Sequence, residues 1–250
     1  MPFTFAHPLY IAPAKWIIPR YMSLAGLVLG SMAPDFEYFL AMEPYQWIGH
    51  THWGLLQAIL LCTILMLLLQ VILKPLAMHL PSLFDLDSRA SSLIQSFDVR
   101  RMRNWIVFIV SVAIGFYSHV LIDGFTHASG YFVMRYPALR SVVVADLPAY
   151  KLLQHSLSIV GLALESAIVF YALAKAPYSA ASATRVAGTR KMMYWWTVSA
   201  IAMVVVAAKL LSTASSNLLG ILIVAPISGG FAGLVVAGIL FGKVWKRQGS

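Results

Sequence analysis

Charge is what this chain has least of. Only 11% of its 250 residues are Asp, Glu, Lys or Arg, against roughly 25% in an ordinary soluble domain. That shortage excludes a water-soluble globule, because too few charged side chains exist to cover its surface. Cysteine is nearly missing as well. Cys62 stands alone, which excludes an intramolecular disulfide and a thiolate metal cluster; inside its apolar run it reads as a small buried hydrophobe. Acid is scarce, with 9 Asp and Glu against 18 Lys and Arg. The net charge of +9 does not point to nucleic acid, since the basic residues are not gathered on one face among aromatics. The start, MPFTFAHP, lacks the basic residues, apolar run and small-residue site of a removable signal peptide.

What is present is hydrocarbon: 60% of the residues are hydrophobic. Five segments, 53–73, 104–124, 152–174, 193–211 and 217–242, are each near the ~20 residues that cross ~30 Å of bilayer. A sixth apolar stretch, 21–40, holds Pro34, Asp35 and Glu37 in its second half. It reads as a short, partly inserted helix over 21–33, with 2–19 folded beside the same membrane face. The expectation is an all-α polytopic membrane helix bundle, one membrane domain over 1–250. Within it, 1–165 supplies the polar chemistry and 193–242 adds two packing spans. Gly26-x-x-x-Gly30 and the Gly229, Gly230, Gly233 group suit close helix packing, and Pro226 is placed to kink the last span.

Basic residues in short connections mark the cytoplasmic side. The 74–103 connection carries Lys74, Arg89, Arg100, Arg101 and Arg103; 175–191 carries Lys175, Arg185, Arg190 and Lys191; the C-terminus carries Lys243, Lys246 and Arg247. These alternate correctly if all three, including the C-terminus, are cytoplasmic. The start of the first span, the end of the second and the start of the third then share the outer face, and six of the seven histidines lie near them or in the N-terminal segment. His79 falls in the 74–103 connection and reads as a surface residue with no role.

The densest polar pattern is SHVLIDGFTHASG, residues 118–130. Ionisable groups in hydrocarbon are costly and usually have a partner or a task. Residues four apart stack on one helix face, so His119 and Asp123 aim at a common point. His127 joins them if the helix persists or if a turn at Gly124 folds it back. Asp35 follows a helix-breaking Ala-Pro, His155 stands near the outer entrance of the next span, and His50 or His52 near another. With His7, these imidazoles and carboxylates without sulfur suit Zn²⁺ first, then Mn²⁺ or Fe²⁺. Glu165, mid-span, needs a partner, and Lys209 is the one intramembrane cation at hand, although it lies nearer the outer end.

Five stretches, MPFTFAHP, GSMAPDFEYF, GHTHWGLL, SHVLIDGFTH and YKLLQHSLSIVGL, resemble an uncharacterised bacterial membrane family of unknown function. That family is similar in turn to the predicted membrane-bound metal-dependent hydrolases. The resemblance covers about residues 1–165, whereas the last two spans match by hydrophobicity alone. More distantly, the order of ligand types is similar to that of zinc-dependent phospholipase C and P1-type nucleases. It would place His7, Asp35, His50, His119, Asp123, His127 and His155 as metal ligands, with His50 fitting the pattern better than His52. Those enzymes also use a free N-terminal amine and a late Glu, where this chain has Met-Pro at its start and Ile159. One or two ions are therefore expected rather than three.

Two functions follow. The first is a membrane-bound metal-dependent hydrolase acting on phosphoester bonds in lipid or lipid-linked substrates, in the bacterial cytoplasmic membrane. Asp123 would bridge, His119, Asp35 and His50 would hold one ion and His127 with His155 the other. Asp35 or Glu37 would take the proton of the attacking water. The alternative is a non-enzymatic membrane protein with a structural metal, or a metal or solute transporter; one-sided ligands and the absence of a repeated His/Asp pattern count against transport.

Overall fold

The computed structural model describes residues 3–177 and 186–242. Met1, Pro2, Arg185, Lys243, Lys246 and Arg247, on which parts of the start and of the charge pattern rest, lie outside the described residues. Eleven α-helices are present among the described residues. They are α1 (Pro8–Ile11), α2 (Ala14–Ile17), α3 (Leu24–Met32), α4 (Phe36–Ala41), α5 (Gly54–Met78), α6 (Leu86–Leu93), α7 (Met102–Thr126), α8 (Tyr131–Arg135), α9 (Ala149–Lys175), α10 (Gly188–Ser212) and α11 (Leu218–Gly242). Among the described residues, five helical stretches are long and apolar enough to cross a membrane: Gly54–Met78, Met102–Arg135, Ala149–Lys175, Gly188–Ser212 and Leu218–Gly242. The chain is a multi-pass, all-α membrane helix bundle.

A two-stranded hairpin, β1 (Val142–Val144) with β2 (Leu147–Pro148), interrupts the helical pattern. Its turn puts Ala145 and Asp146 at φ 49° and 59°, the left-handed pair that a tight hairpin requires. The all-α expectation passed over it because three valines inside a polar connection carry little period-2 signal.

The chain divides into two compact units. The first comprises Met1–Phe36, Gln46–Thr63 and Asp98–Val169. At its centre α3 packs on α7. Ser23 caps α3, its hydroxyl accepting from the Gly26 amide at 3.2 Å, while its own amide donates to the Ser111 hydroxyl of α7 at 2.8 Å. Bilayer lipid is as apolar as leucine, so helices in it gain from close backbone approach rather than from burial alone. Gly26 provides that approach: a Cβ there would lie 2.6 Å from the Phe108 carbonyl oxygen. Across the interface, one at Gly115 would lie 2.5 Å from the Leu27 carbonyl oxygen. At nine residues, α3 is about 14 Å long, half a bilayer. It ends where Pro34 enters a 3₁₀ turn, Ala33–Asp35.

The second unit comprises Glu37–Tyr45, Ile64–Phe97 and Phe170–Ser250. Here α10 and α11 pair through small residues, the Val198 carbonyl oxygen lying 2.6 Å from where a Gly233 Cβ would be. Two expectations are corrected in this unit. His79 is not a surface residue: α5 runs on to Met78, and His79 is 2% exposed, stacked on Tyr194 at 4.4 Å, with Nδ1 2.7 Å from the Pro75 carbonyl. Lys209 does not serve Glu165; it donates to Glu43 Oε1 at 2.9 Å. The acid after Met42, whose φ is 57°, belongs to a turn that no hydropathy count brings near α10.

Candidate metal centre

The site is built from α7 outward. His119 and Asp123 stand one turn apart, both buried, with His119 Nε2 3.2 Å from Asp123 Oδ2. The other ring nitrogen, Nδ1, lies 2.7 Å from the carbonyl oxygen of Ser31 on α3. That carbonyl can only accept, so Nδ1 carries the hydrogen, and Nε2 is the nitrogen left to face the carboxylates. The glycine contact between α3 and α7 is what brings the Ser31 backbone within reach.

Asp35 enters from the 3₁₀ turn after α3. The Thr4 hydroxyl donates to its Oδ2 at 2.6 Å, which leaves Oδ1 facing His50 Nε2 at 3.5 Å and His119 Nε2 at 3.7 Å. His50 comes from the tight turns before α5, where the Thr51 amide donates to Ile48 O and Gly54 to Thr51 O. Its Nε2 lies 3.1 Å from Asp123 Oδ2 and 3.2 Å from His119 Nε2. The Gln46 side-chain amide sits 2.6 Å from His50 Nδ1. As placed, Gln46 Nε2 donates to Nδ1 and His50 Nε2 carries the hydrogen; turned over, the amide oxygen would accept from Nδ1–H and leave the Nε2 lone pair to the centre. His7, at the start of α1, stacks on His119 at 3.8 Å and 16°, and its Nε2 is 3.7 Å from Asp123 Oδ1.

The electrostatics of this cluster are lopsided. His119 Nε2 and His50 Nε2 both converge on Asp123 Oδ2, at 3.2 and 3.1 Å, which concentrates nitrogen and carboxylate at one point. His7 Nδ1 and Nε2, Asp35 Oδ1 and Asp123 Oδ1 are buried without any hydrogen-bond partner. Such atoms cost free energy unless something satisfies them. Burial, with the neighbouring His119, pushes the His7 imidazole down to about 3, so His7 is neutral and its lone pair is free. Burial likewise raises the Asp35 carboxyl, against the opposing pull of His119 and the Thr4 hydroxyl.

Two groups, His7–His119–Asp123 and Asp35–His50–His119, have ligand atoms close enough to hold a metal ion. Ligand atoms about 2.1 Å from zinc in a tetrahedron are about 3.4 Å from one another. The separations above, 3.1 to 3.7 Å, straddle that value. The donor set therefore fits a divalent cation.

The family is now decided by the whole chain. It belongs to the family described as a domain of unknown function (DUF4184). The match covers residues 1–239, so it takes in α10 and most of α11, well past the 1–165 on which the motif resemblance rested. No curated protein and no solved structure matches the chain.

In this DUF4184 chain, His7, Asp35, His50, His119 and Asp123 come together. His127 is adjacent but in neither group. α7 stops at Thr126 and His127 leaves it in an extended conformation at φ −113°. Its Nδ1 lies 3.1 Å from the Asp123 carbonyl and 3.5 Å from Asp123 Oδ1. His155 is exposed on α9 and is in neither group, like His52, which is exposed beside α5. Glu37 is buried in the first turn of α4 and is also outside both groups. Three supporting residues escaped the sequence reading: Thr4, Ser31 and Gln46. Gln46 stands four before His50, a spacing that could have been noticed; the Ser31 contact is through backbone and has no side-chain signature.

Proposed function

We propose that this protein is a membrane-bound, metal-dependent hydrolase acting on phosphoester bonds of lipid or lipid-linked substrates. The observation that carries the reading is the meeting of buried acceptors, Asp35 Oδ1, Asp123 Oδ1 and His7 Nε2, with the Nε2 atoms of His50 and His119. Zinc is the preferred ion for three imidazoles and two carboxylates, with manganese or iron behind it. Both candidate groups include His119; with Nδ1 on the Ser31 carbonyl it has Nε2 alone to offer, and one lone pair serves one ion, which favours a single ion over two.

When bound, such an ion supplies Lewis acidity, making water more acidic and polarising a phosphoryl oxygen. The chain supplies the rest. Asp35, raised by burial, is the carboxylate suited to take a proton, with Thr4 holding its other oxygen. His127 and His50 are the less buried imidazoles, 29% and 18% exposed, and would be the ones to meet substrate. By the basic-loop pattern this face is the outer one and the 74–103 connection is cytoplasmic, in the cytoplasmic membrane of a bacterium. A cysteine placed at Ser91 should then be unreactive to impermeant reagents added outside.

A structural metal is the second reading, favoured by the depth of the centre: His7, Asp35 and His119 are 0% exposed. Metal analysis of the purified protein, followed by a phosphodiester and phospholipid panel on the same sample, separates the two. About one ion per chain and chelator-sensitive hydrolysis are expected. A stoichiometric ion without hydrolysis favours the structural reading, and a protein that takes up no zinc overturns both.

A further inference from the structure

α9 is a mostly lipid-facing helix with one polar stripe. Gln154, Ser158, Gly161 and Glu165 follow each other at spacings of four, three and four, which puts them on one face. Around them Ile159, Val160, Leu164 and Phe170 are exposed. A carboxylate in the interior of such a helix is expensive and calls for a reason. Its partner is not a cation. The Leu9 backbone amide lies against the carboxylate, whose buried Oε1 makes no hydrogen bond.

That contact is one of a series along a single segment. The Phe3 amide donates to the Ser158 hydroxyl at 2.9 Å. The Tyr10 hydroxyl donates to the Leu157 carbonyl at 2.5 Å. Ala6 lies over Gly161 so closely that a Cβ there would be 2.6 Å from the Ala6 Cβ. Residues 3–10 are thus fastened to α9 on both sides of His7, and His7 is the residue stacked on His119.

We propose that Ser158, Gly161 and Glu165 are positioning residues of the metal centre, holding the N-terminal segment so that His7 completes it. The inference rests on the metal-centre reading above for its purpose, although the seating itself does not require a metal. His7 makes no side-chain hydrogen bond of its own, and α1, at four residues, is too short to be stable alone. The direction of the His7 ring therefore comes from its neighbours' bonds to α9. Gly161 is the exclusion point, since any side chain there would lift Ala6 and His7 together. Glu165 sets a carboxylate beside a backbone amide that would otherwise face hydrocarbon.

Two readouts test this. In a Cys62→Ala background, Thr4→Cys reports whether the segment is seated, through alkylation of the introduced thiol by a maleimide in metal-free protein. Cobalt absorption of the native-cysteine protein reports whether His7 is a ligand. Glu165→Leu and Gly161→Leu should each speed alkylation tenfold or more and give the cobalt spectrum of His7→Ala. Adding His7→Ala to either should change that spectrum no further. Glu165→Gln, which keeps a polar oxygen beside Leu9, should retain parental protection. The proposal is overturned if the introduced thiol stays protected in both leucine variants, or if it is exposed in Glu165→Gln. Glu165→Leu removes a polar group from a membrane helix, so it remains informative if Gly161→Leu does not fold. A parent protein that binds no cobalt would sink the metal reading, while the alkylation arm still decides whether α9 seats the segment.

Discussion

Asp123 in the first unit and Asp87 in the second are buried to the same degree, at 6% exposure each, yet their surroundings are opposite in kind. Asp87 Oδ2 accepts from Lys191 Nζ at 2.5 Å and from the Ser82 hydroxyl at 2.9 Å, and its Oδ1 accepts from the Ser88 amide. Lys191 spends its other hydrogens on Leu80 O and Ser82 Oγ. Burial alone would raise the Asp87 carboxyl, but the Lys191 ammonium and the two serine donors hold it below the usual carboxylate range. Charge and hydrogen bonds close on themselves there. Around Asp123 the closure is partial: Oδ2 has the imidazole nitrogens of His50 and His119 at 3.1 and 3.2 Å, whereas the buried Oδ1 has no hydrogen-bond partner and a second carboxylate, Asp35, stands close by. A cluster that satisfies itself is architecture, whereas one short of positive charge is a place for a cation. The second unit does contain unpartnered atoms, His79 Nε2 and Tyr194 Oη, but they belong to two stacked neutral rings and carry no charge deficit.

The comparison breaks most sharply at Asp123. Asp123→Asn keeps size and helix fit while removing one of only two carboxylates near His119. Groups merely supporting a metal ligand are worth 10–100-fold in affinity, so a charged ligand itself should be worth on the order of a thousandfold, about 4 kcal/mol. Zinc content and competition with a chromophoric chelator measure it. Full occupancy in the variant would mean that the first unit's cluster, like the second's, is only architecture.

Lys191→Met is the mirror experiment. It strands Asp87 without its cation, and breaking a buried pair in this way costs about 3 kcal/mol or more. Metal content should not move. Asp87→Asn together with Lys191→Met should recover much of the loss, since replacing both members of a buried pair is far milder than removing one. Thermal unfolding in detergent, with zinc measured on the same samples, checks both halves. A metal loss equal to that of Asp123→Asn would erase the distinction between the two clusters.

Much of this was legible in the chain. Five spans follow from hydropathy, and the pairing of His119 with Asp123 follows from a spacing of four on one helix. The shortness of α3 could be read from Pro34, because proline removes a backbone donor and ends the turn. What was not legible has a common cause. Ser31 reaches His119 through a carbonyl, Leu9 sets its amide beside Glu165, and Glu43 meets Lys209 by virtue of a turn at Met42. Backbone groups are the same at every position, so their partners are set by packing and leave no letter in the sequence. His79 was misplaced for a similar reason: a charge count marks a connection as polar, but it does not say where the preceding helix ends.

The smallest expected effect bears on two histidines of the first unit that stand outside the centre. His52 is two residues from His50, and in an extended loop the two would point to the same side. The turns at Ile48–Thr51 and Thr51–Gly54 separate them instead, with His50 in the cluster and His52 exposed. His155 is exposed on α9, one residue past the buried Gln154. Neither ring contributes an atom to the groups around His119. His52→Ala and His155→Ala should therefore each change zinc affinity by less than about twofold, within about 0.4 kcal/mol, while His50→Ala measured in parallel should lose about tenfold or more. A chelator competition series resolves that gap. If His155→Ala fell with His50→Ala, a second ion held by α9 would be required, and one lone pair on His119 would no longer limit the centre to a single metal.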